Sequence, residues 1–256
     1  LGTAQLSPLR GPVKRRRQAA GPCPRGAGAV PCRPMERMGV IFDMDGVLVD
    51  SYRAHLESWQ RTARARGADM TEAQFAATFG RTSREIIRDH WPHLASCDDD
   101  VARWDADKEA VYRELLLAEF PEMDGAGELV AALHAAGFAL AIGSSGPPEN
   151  VAVVLRCLPN AGCISAAVDA TQVSRGKPDP EVFLRAAEKL RIPPERCAVV
   201  EDAPAGLEAA QRAGMAAAAI TGTAPRDRLA AGAQVVVDSL RELTPQRLAQ
   251  LIRRNA

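Results

Sequence analysis

The stretch Val40-Ile41-Phe42-Asp43-Met44-Asp45-Gly46-Val47-Leu48-Val49-Asp50-Ser51 decides how the rest of the chain is read. Three apolar residues meet two aspartates spaced by one, and a glycine follows. Val40, Ile41 and Phe42 read as a strand buried on both faces. Side chains alternate along a strand, so Asp43 and Asp45 start on the same side for as long as the extended geometry persists. Gly46 lets the chain turn away. Two carboxylates then stand at the C-terminal end of a buried strand, where open α/β sheets place their ligands. Carboxylates so close repel unless they share a proton or a cation, and a hard cation such as Mg2+ takes oxygen ligands.

An Asp-x-Asp triplet alone is also compatible with a polar strand end or an Asx turn. An EF-hand loop is excluded, because its glycine sits at the sixth loop position and not directly after the second acid. The metal-binding Asp-x-Asp of a nucleotide-sugar transferase stays open until the later motifs are read.

The 256 residues suffice for one large domain or two small ones, and 46% hydrophobic residues support a core. Aromatics are only 4%, so that core is expected to consist of Ala, Val and Leu. No apolar run approaches the roughly 18 residues of a membrane span. The formal charge of zero gives no overall pull toward nucleic acid. It hides an asymmetry. Seven of the 32 basic residues lie in residues 1–34, which hold no acid, so the remainder carries 25 basic against 32 acidic residues. That acidic remainder reads as a cytoplasmic enzyme. Lysine is scarce, with Lys14, Lys108, Lys177 and Lys189 alone, so a lysine inside a motif carries weight. Cys23, Cys32, Cys97, Cys157, Cys163 and Cys197 show neither a Cys-x-x-Cys pair nor a zinc spacing, and buried free thiols are expected.

The segment 1–37 reads as a disordered basic leader, rich in Gly, Pro, Ala and Arg and without periodicity. Met35 or Met38 is the expected natural start, which would put the leader outside the fold. Residues 53–121 read as all-helical. Helices are expected over 52–66, from Thr71 with a capping box to Gln74, from Thr82 to Pro92, and over 98–120. From Asp124 strands alternate with helices. The expected strands are 138–143, 164–168, 197–200, 215–220 and 234–237, with helices at 126–136, 149–157, 180–190 and 204–213. This is the pattern of a doubly wound parallel sheet, with 38–52 plus 122–256 as an α/β core and 53–121 inserted as a helical cap.

Three later segments supply what a phosphoryl site needs. Phe138 to Gly143 delivers Ser144 and Ser145, whose hydroxyls and amides suit phosphoryl oxygens; either serine alone could equally cap the next helix. Lys177 sits in a Gly- and Pro-rich loop that can hold one point charge near a phosphate. Cys197 to Val200 ends in Glu201 and Asp202, a second acid pair. On one rim these groups make a phosphoryl-transfer site: carboxylates for Mg2+, Lys and Mg2+ for the phosphate, and one carboxylate as nucleophile. The glycosyltransferase reading leaves Ser144, Lys177 and the second acid pair unexplained.

With all four motifs in order over about residues 39–238, the chain resembles the phosphotransferases of the haloacid dehalogenase superfamily, of the subgroup with a helical cap after the first motif. The resemblance implies a Rossmann-like core. It makes Asp43 the nucleophile and Asp45 the general acid and then base, with Ser144 and Lys177 on the phosphoryl group. Asp43, the backbone carbonyl of Asp45, Asp202 and Glu201 would hold Mg2+. Within that superfamily the chain is most similar to β-phosphoglucomutase-like proteins. His55 and Trp59 stand at that group's spacing from Asp43. Thr82-Ser83-Arg84-Glu85 resembles its cap loop, whose arginine holds a distal phosphate, and Lys108 matches a cap lysine. Ser145, His55, Arg84 and Lys108 are accordingly candidate substrate contacts. The chain departs from the mutase pattern at Gly146-Pro147-Pro148, which lacks the serine, lysine and asparagine that touch substrate there. The expectation is a Mg2+-dependent phosphatase of a small sugar phosphate or phospho-organic acid, acting through an aspartyl-phosphate. A phosphomutase using the same nucleophile is the alternative, and a non-catalytic binding protein a third reading. No nucleic-acid or membrane partner is expected, and the protein should be a monomer or weak dimer.

Overall fold

The computed structural model describes residues 37–78 and 81–255. All but Arg37 of the leader, with Cys23 and Cys32, lies outside the described residues. Strand β1 (Gly39–Phe42) is followed by four helices, α1 (Tyr52–Arg64), α2 (Glu72–Ala76), α3 (Ser83–His90) and α4 (Asp98–Ala118). Helices and strands then alternate: α5 (Ala126–Ala135), β2 (Ala139–Gly143), α6 (Pro148–Cys157), β3 (Ile164–Val168), α7 (Glu181–Leu190), β4 (Cys197–Glu201), α8 (Pro204–Arg212), β5 (Ala216–Ile220), α9 (Arg226–Ala230), β6 (Val235–Val237) and α10 (Pro245–Asn255).

The six strands form one parallel sheet in the order β3-β2-β1-β4-β5-β6. The chain first builds outward from β1 through β2 to β3, then crosses back to lay β4 on the other side of β1. The order therefore reverses between β1 and β4, and a crevice opens there at the carboxyl ends of the strands. Strands β1, β2, β4 and β5 are buried throughout, which explains their unbroken apolar runs. Alternation divides them between two cores. Val40, Phe42, Leu140, Ile142 and Val200 face α5, α6 and α10, through Leu129, Val130, Val154, Leu248 and Ile252. Ile41, Ala141, Val199, Ala217 and Ala219 face α7, α8 and α9, through Phe183, Ala187, Leu207 and Leu229.

Helices α9 and α10 were not expected. The signal for α10 is present, since Leu248, Leu251 and Ile252 follow helical spacing and are all buried. The thiol expectation is corrected in part: Cys197 is buried, but Cys97 is exposed, Cys157 and Cys163 are half-buried, and all four are free of disulfides. No helix among the described residues is long and apolar enough to cross a membrane.

Helices α1 to α4 enclose a third hydrophobic cluster built on Trp59, Met70, Phe75, Ile87, Trp91 and Trp104. Thr71 with Gln74, and Thr82 with Glu85, form reciprocal capping boxes that start α2 and α3. The insert joins the sheet through two strands of chain lying side by side. Asp50 donates to the carbonyl of Pro121 (2.8 Å), and Met123 to that of Leu48 (3.2 Å).

Candidate active site

The site begins where β1 ends. Asp43 donates its backbone N–H to the carbonyl of Val200 (2.9 Å), so the nearest carboxylate-bearing end of β4 is locked beside it. The extended geometry then stops. The amides of Val47, Leu48 and Val49 converge on the carbonyl of Met44 at 3.4, 2.9 and 3.2 Å, which folds the second apolar triplet into a tight turn. The shared face of Asp43 and Asp45 was expected for as long as the chain stays extended; it stops being so here, and their side chains join different networks.

Asp43 joins the β4 acids. Ligand oxygens of Asp43, Glu201 and Asp202, all buried, lie within 4.8 Å of one another. Lys177, from the loop after β3, donates to Asp43 Oδ1 and to Glu201 Oε1, the latter at 2.7 Å. The sheet thus brings Asp43, Lys177, Glu201 and Asp202 together as the motif order implied. Burial pushes Asp43 up to about 7 against the pull of Lys177, with Glu201 and Asp45 adding to the rise. Burial and the charges of Glu201 and Asp43 raise Asp202 well above the carboxylate range. Lys177 is lowered by burial, but Asp43 and Glu201 outweigh that and hold it above an ordinary lysine. Three carboxylates against one ammonium leave the ionised cluster two positive charges short, and a divalent cation on hard oxygen ligands supplies that number.

Two glycines make room for these carboxylates. At Gly46, φ is +76°, and a Cβ would lie 2.0 Å from Asp202 Oδ2. In the first turn of α8, a Cβ on Gly206 would lie 1.7 Å from Glu201 Oε1. Glu201 Oε2 accepts the backbone N–H groups of Asp202 and Ala203, both at 2.7 Å, which orients Oε1 toward Lys177. The hydroxyl of Thr223, after β5, donates to Asp202 Oδ2.

Asp45 joins the insert instead. Its Oδ1 accepts the hydroxyl of Tyr112 (2.6 Å) and faces His55 Nε2 (3.4 Å). Burial would raise this carboxyl, but His55 and the hydroxyls of Tyr112 and Ser51 outweigh it and pull it down to about 2. The His55 and Tyr112 rings stack at 4.0 Å with 1° between their planes. Lys108 Nζ lies 2.9 Å from His55 Nδ1. An ammonium can only donate, so Nδ1 accepts and Nε2 carries the hydrogen facing Asp45. Lys108, 3% exposed, also donates to Glu109 (2.8 Å).

Ser144 is buried, its Oγ accepting the N–H of Gly146 (3.0 Å) and keeping its own hydrogen to donate. Ser145 is exposed beside it. Arg84 is not drawn into the cluster: its side chain is 59% exposed and paired with Asp105 (3.2 Å). Sequence reasoning missed Tyr112, Thr223, Gly206, Glu109 and Asn150. Tyr112 carried a signal, lying four residues beyond Lys108 on the same helix face. Thr223 lies three residues after β5 and carried no motif of its own.

A parallel sheet with acids, a lysine and a serine at its switch point defines a phosphoryl-handling enzyme of the phosphoric monoester hydrolase or phosphomutase kind. The family model of haloacid dehalogenase-like hydrolases matches residues 38–214, and the chain belongs to that family. It is 32% identical over 209 residues to validoxylamine A 7'-phosphate phosphatase of Streptomyces hygroscopicus subsp. limoneus, covering 79% of this chain and 94% of the relative. It is 30% identical over 216 residues to β-phosphoglucomutase of Bacillus subtilis, covering 80% of this chain and 91% of the relative. A family IA haloacid dehalogenase hydrolase from Entamoeba histolytica superposes with a TM-score of 0.75 at 26% identity, covering 84% of this chain and 99% of that one.

Proposed function

We propose that the protein is a Mg2+-dependent phosphatase of a small phosphorylated metabolite, a sugar phosphate or phospho-organic acid. The observation that carries this reading is the separation of the two aspartates. Asp43 lies among carboxylates and Lys177 at the end of the sheet, while Asp45 lies on the Tyr112–His55 network of the insert. One carboxylate suits attack at phosphorus and the other suits proton transfer.

Asp43, Glu201, Asp202 and the backbone carbonyl of Asp45 would hold Mg2+, which when bound neutralises charge on the phosphoryl oxygens. Lys177 and the Ser144 hydroxyl bind the remaining oxygens, with Ser145 at the mouth. An Asp43 oxygen attacks phosphorus, the P–O ester bond breaks, and the leaving oxygen takes a proton from Asp45. Water then attacks the aspartyl-phosphate, giving its proton back to Asp45 and freeing phosphate and Asp43. The donors on Asp45 hold it ionised, the state needed to accept water's proton. To carry a proton to the leaving group it must swing away from Tyr112 and His55. His55 and Lys108 orient it and, with Arg84, border the substrate. A cytoplasmic location accords with the acidic fold and free thiols.

A phosphomutase is the second reading, favoured by the likeness to the Bacillus enzyme, by the spacing of His55 and Trp59, and by Lys108 on the insert's long helix. Two observations weigh against it. Gly146-Pro147-Pro148 offers no side-chain donors, and Arg84, the residue for a distal phosphate, is already neutralised by Asp105. The deciding measurement is ³¹P NMR with Mg2+ on β-glucose 1-phosphate, primed with the bisphosphate, beside a panel of phosphate esters. Release of free phosphate is expected. Conversion to glucose 6-phosphate with little free phosphate would establish the mutase instead.

A further inference from the structure

Beside Ser144 lies a polar cluster that the proposed chemistry leaves unused. Asn150 is in the first turn of α6 and is 2% exposed. It does not cap its helix, since Pro147 holds that position without a side-chain bond. Its side chain turns to the insert: Oδ1 accepts from Arg113 Nη1 (3.1 Å), and Nδ2 donates to Glu109 Oε2 (2.7 Å). The other Glu109 oxygen accepts from Lys108 (2.8 Å) and lies 3.5 Å from the hydroxyl of Ser83.

This cluster borders the reacting groups on two sides. The space left by the missing side chain of Gly146 is bounded by Ser144 Oγ at 3.3 Å, Met44 Cε at 3.5 Å and Asn150 Nδ2 at 3.9 Å. Through Lys108 and His55, Glu109 is three contacts from Asp45. Beyond the bonds already made, Glu109 Oε2 keeps a lone pair and Asn150 Nδ2 keeps one hydrogen, an acceptor and a donor that complement neighbouring hydroxyls. The cluster is also poorly suited to a second anion. Lys108 is committed to Glu109, Arg84 to Asp105 and Arg113 to the Asn150 carbonyl, and a second phosphate would meet the Glu109 carboxylate.

We propose that Glu109 and Asn150, with Arg113 fixing the amide, are specificity residues that select a monophosphate whose body carries hydroxyls and no second anionic group. This rests on the phosphatase reading of the same site and narrows it away from phospho-acids and bisphosphates. Arg113 is a positioning residue: by donating to Oδ1 it turns Nδ2 toward Glu109.

The test compares kcat/KM for glucitol 6-phosphate, fructose 1,6-bisphosphate and p-nitrophenyl phosphate in the full chain with Mg2+. Glu109→Gln and Asn150→Asp should each lower the ratio of glucitol 6-phosphate to p-nitrophenyl phosphate about tenfold or more, the scale of one hydrogen bond to a charged group. Glu109→Gln should also raise the bisphosphate relative to the polyol ester. Arg113→Met should lower the same ratio, with partial recovery in Arg113→Lys. An equal loss on all three esters would mean that the cluster only latches insert to core, and would overturn the proposal. So would an unaltered ratio in folded variants. A second readout needs no turnover: calorimetric binding of glucitol 6-phosphate to Asp43→Asn protein, with and without Glu109→Gln. Binding about tenfold weaker with Glu109→Gln supports the subsite, and equal affinity overturns it. If wild type releases phosphate from none of the esters, the phosphatase reading fails, and the calorimetry still decides the subsite.

Discussion

The sheet core and the helical insert are built from different side chains. Strand β5 is Ala216-Ala217-Ala218-Ala219-Ile220, all buried, and its neighbours β4 and β6 are mostly Val. All three tryptophans lie in the insert, where Trp91 stacks on Trp104 at 4.6 Å and lies 5.9 Å from Trp59. A sheet covered on both faces gains its burial from many strands in register and packs with small residues. Four helices with little chain to bury need large surfaces per residue, which tryptophan provides. The functional groups follow the same division. The core holds Asp43, Glu201 and Asp202 at strand ends, close to backbone. The insert reaches Asp45 with Tyr112 and His55, supported by Lys108. Placement by backbone suits metal and phosphorus, and placement by long side chains suits a group that must move.

That contrast can be broken at four points. Asp43→Asn should have the largest effect. Phosphate release should fall at least about 10⁴-fold, as for other lost nucleophiles, with circular dichroism unchanged. Retained activity would remove Asp43 from its role. Next, Trp104→Ala should cost ~3–5 kcal/mol of stability, read by denaturant titration, because Trp104 is buried and its Nε1 donates to Thr62 Oγ1 (3.3 Å). If insert and core are separable, this variant should lose turnover through displaced Tyr112 and Lys108 while still binding Mg2+; loss of both together would count against the division. Gly206→Ala should have the reverse signature, weakening Mg2+ binding by calorimetry and costing ~1–3 kcal/mol through the clash with Glu201. Normal metal affinity would show that Glu201 does not need that space.

Tyr112→Phe should be the mildest, lowering kcat about tenfold by removing one hydrogen bond to a charged acceptor. The pH profile separates positioning from packing. Asp45 is held at about 2 partly by Tyr112, so removing that donor lets its carboxyl rise toward the ordinary range. If Asp45 must be ionised to activate water, the acid limb of kcat should then move to higher pH. An unmoved limb would assign Tyr112 to packing alone.

Much of this was legible from residue order. The apolar triplet before Asp43 and the run before Glu201 read as strands buried on both faces, because each is short, continues without polar interruption and ends in acids. Thr71 with Gln74 marked a helix start because capping is local chemistry. What escaped the sequence was the direction of side chains beyond regular structure. Gly46 marked a turn after Asp45, but not that three amides converge on the Met44 carbonyl or that Asp45 meets Tyr112 and His55. Arg84 matched a motif, yet its partner Asp105 lies on another helix.

The sequence by itself determined the alternation of strands and helices, the interruption by a helical insert, and the candidate acids, lysine and serine. These follow from periodicity and turn chemistry, which act over a few residues. Tertiary structure decided the strand order that sets Asp43 beside Glu201, and the sharing of Asp45 by Tyr112 and His55. It also decided the meeting of Asn150 with Glu109, 41 residues apart in the chain. Each of these depends on which surfaces pack together across the whole chain, and no local pattern carries that information.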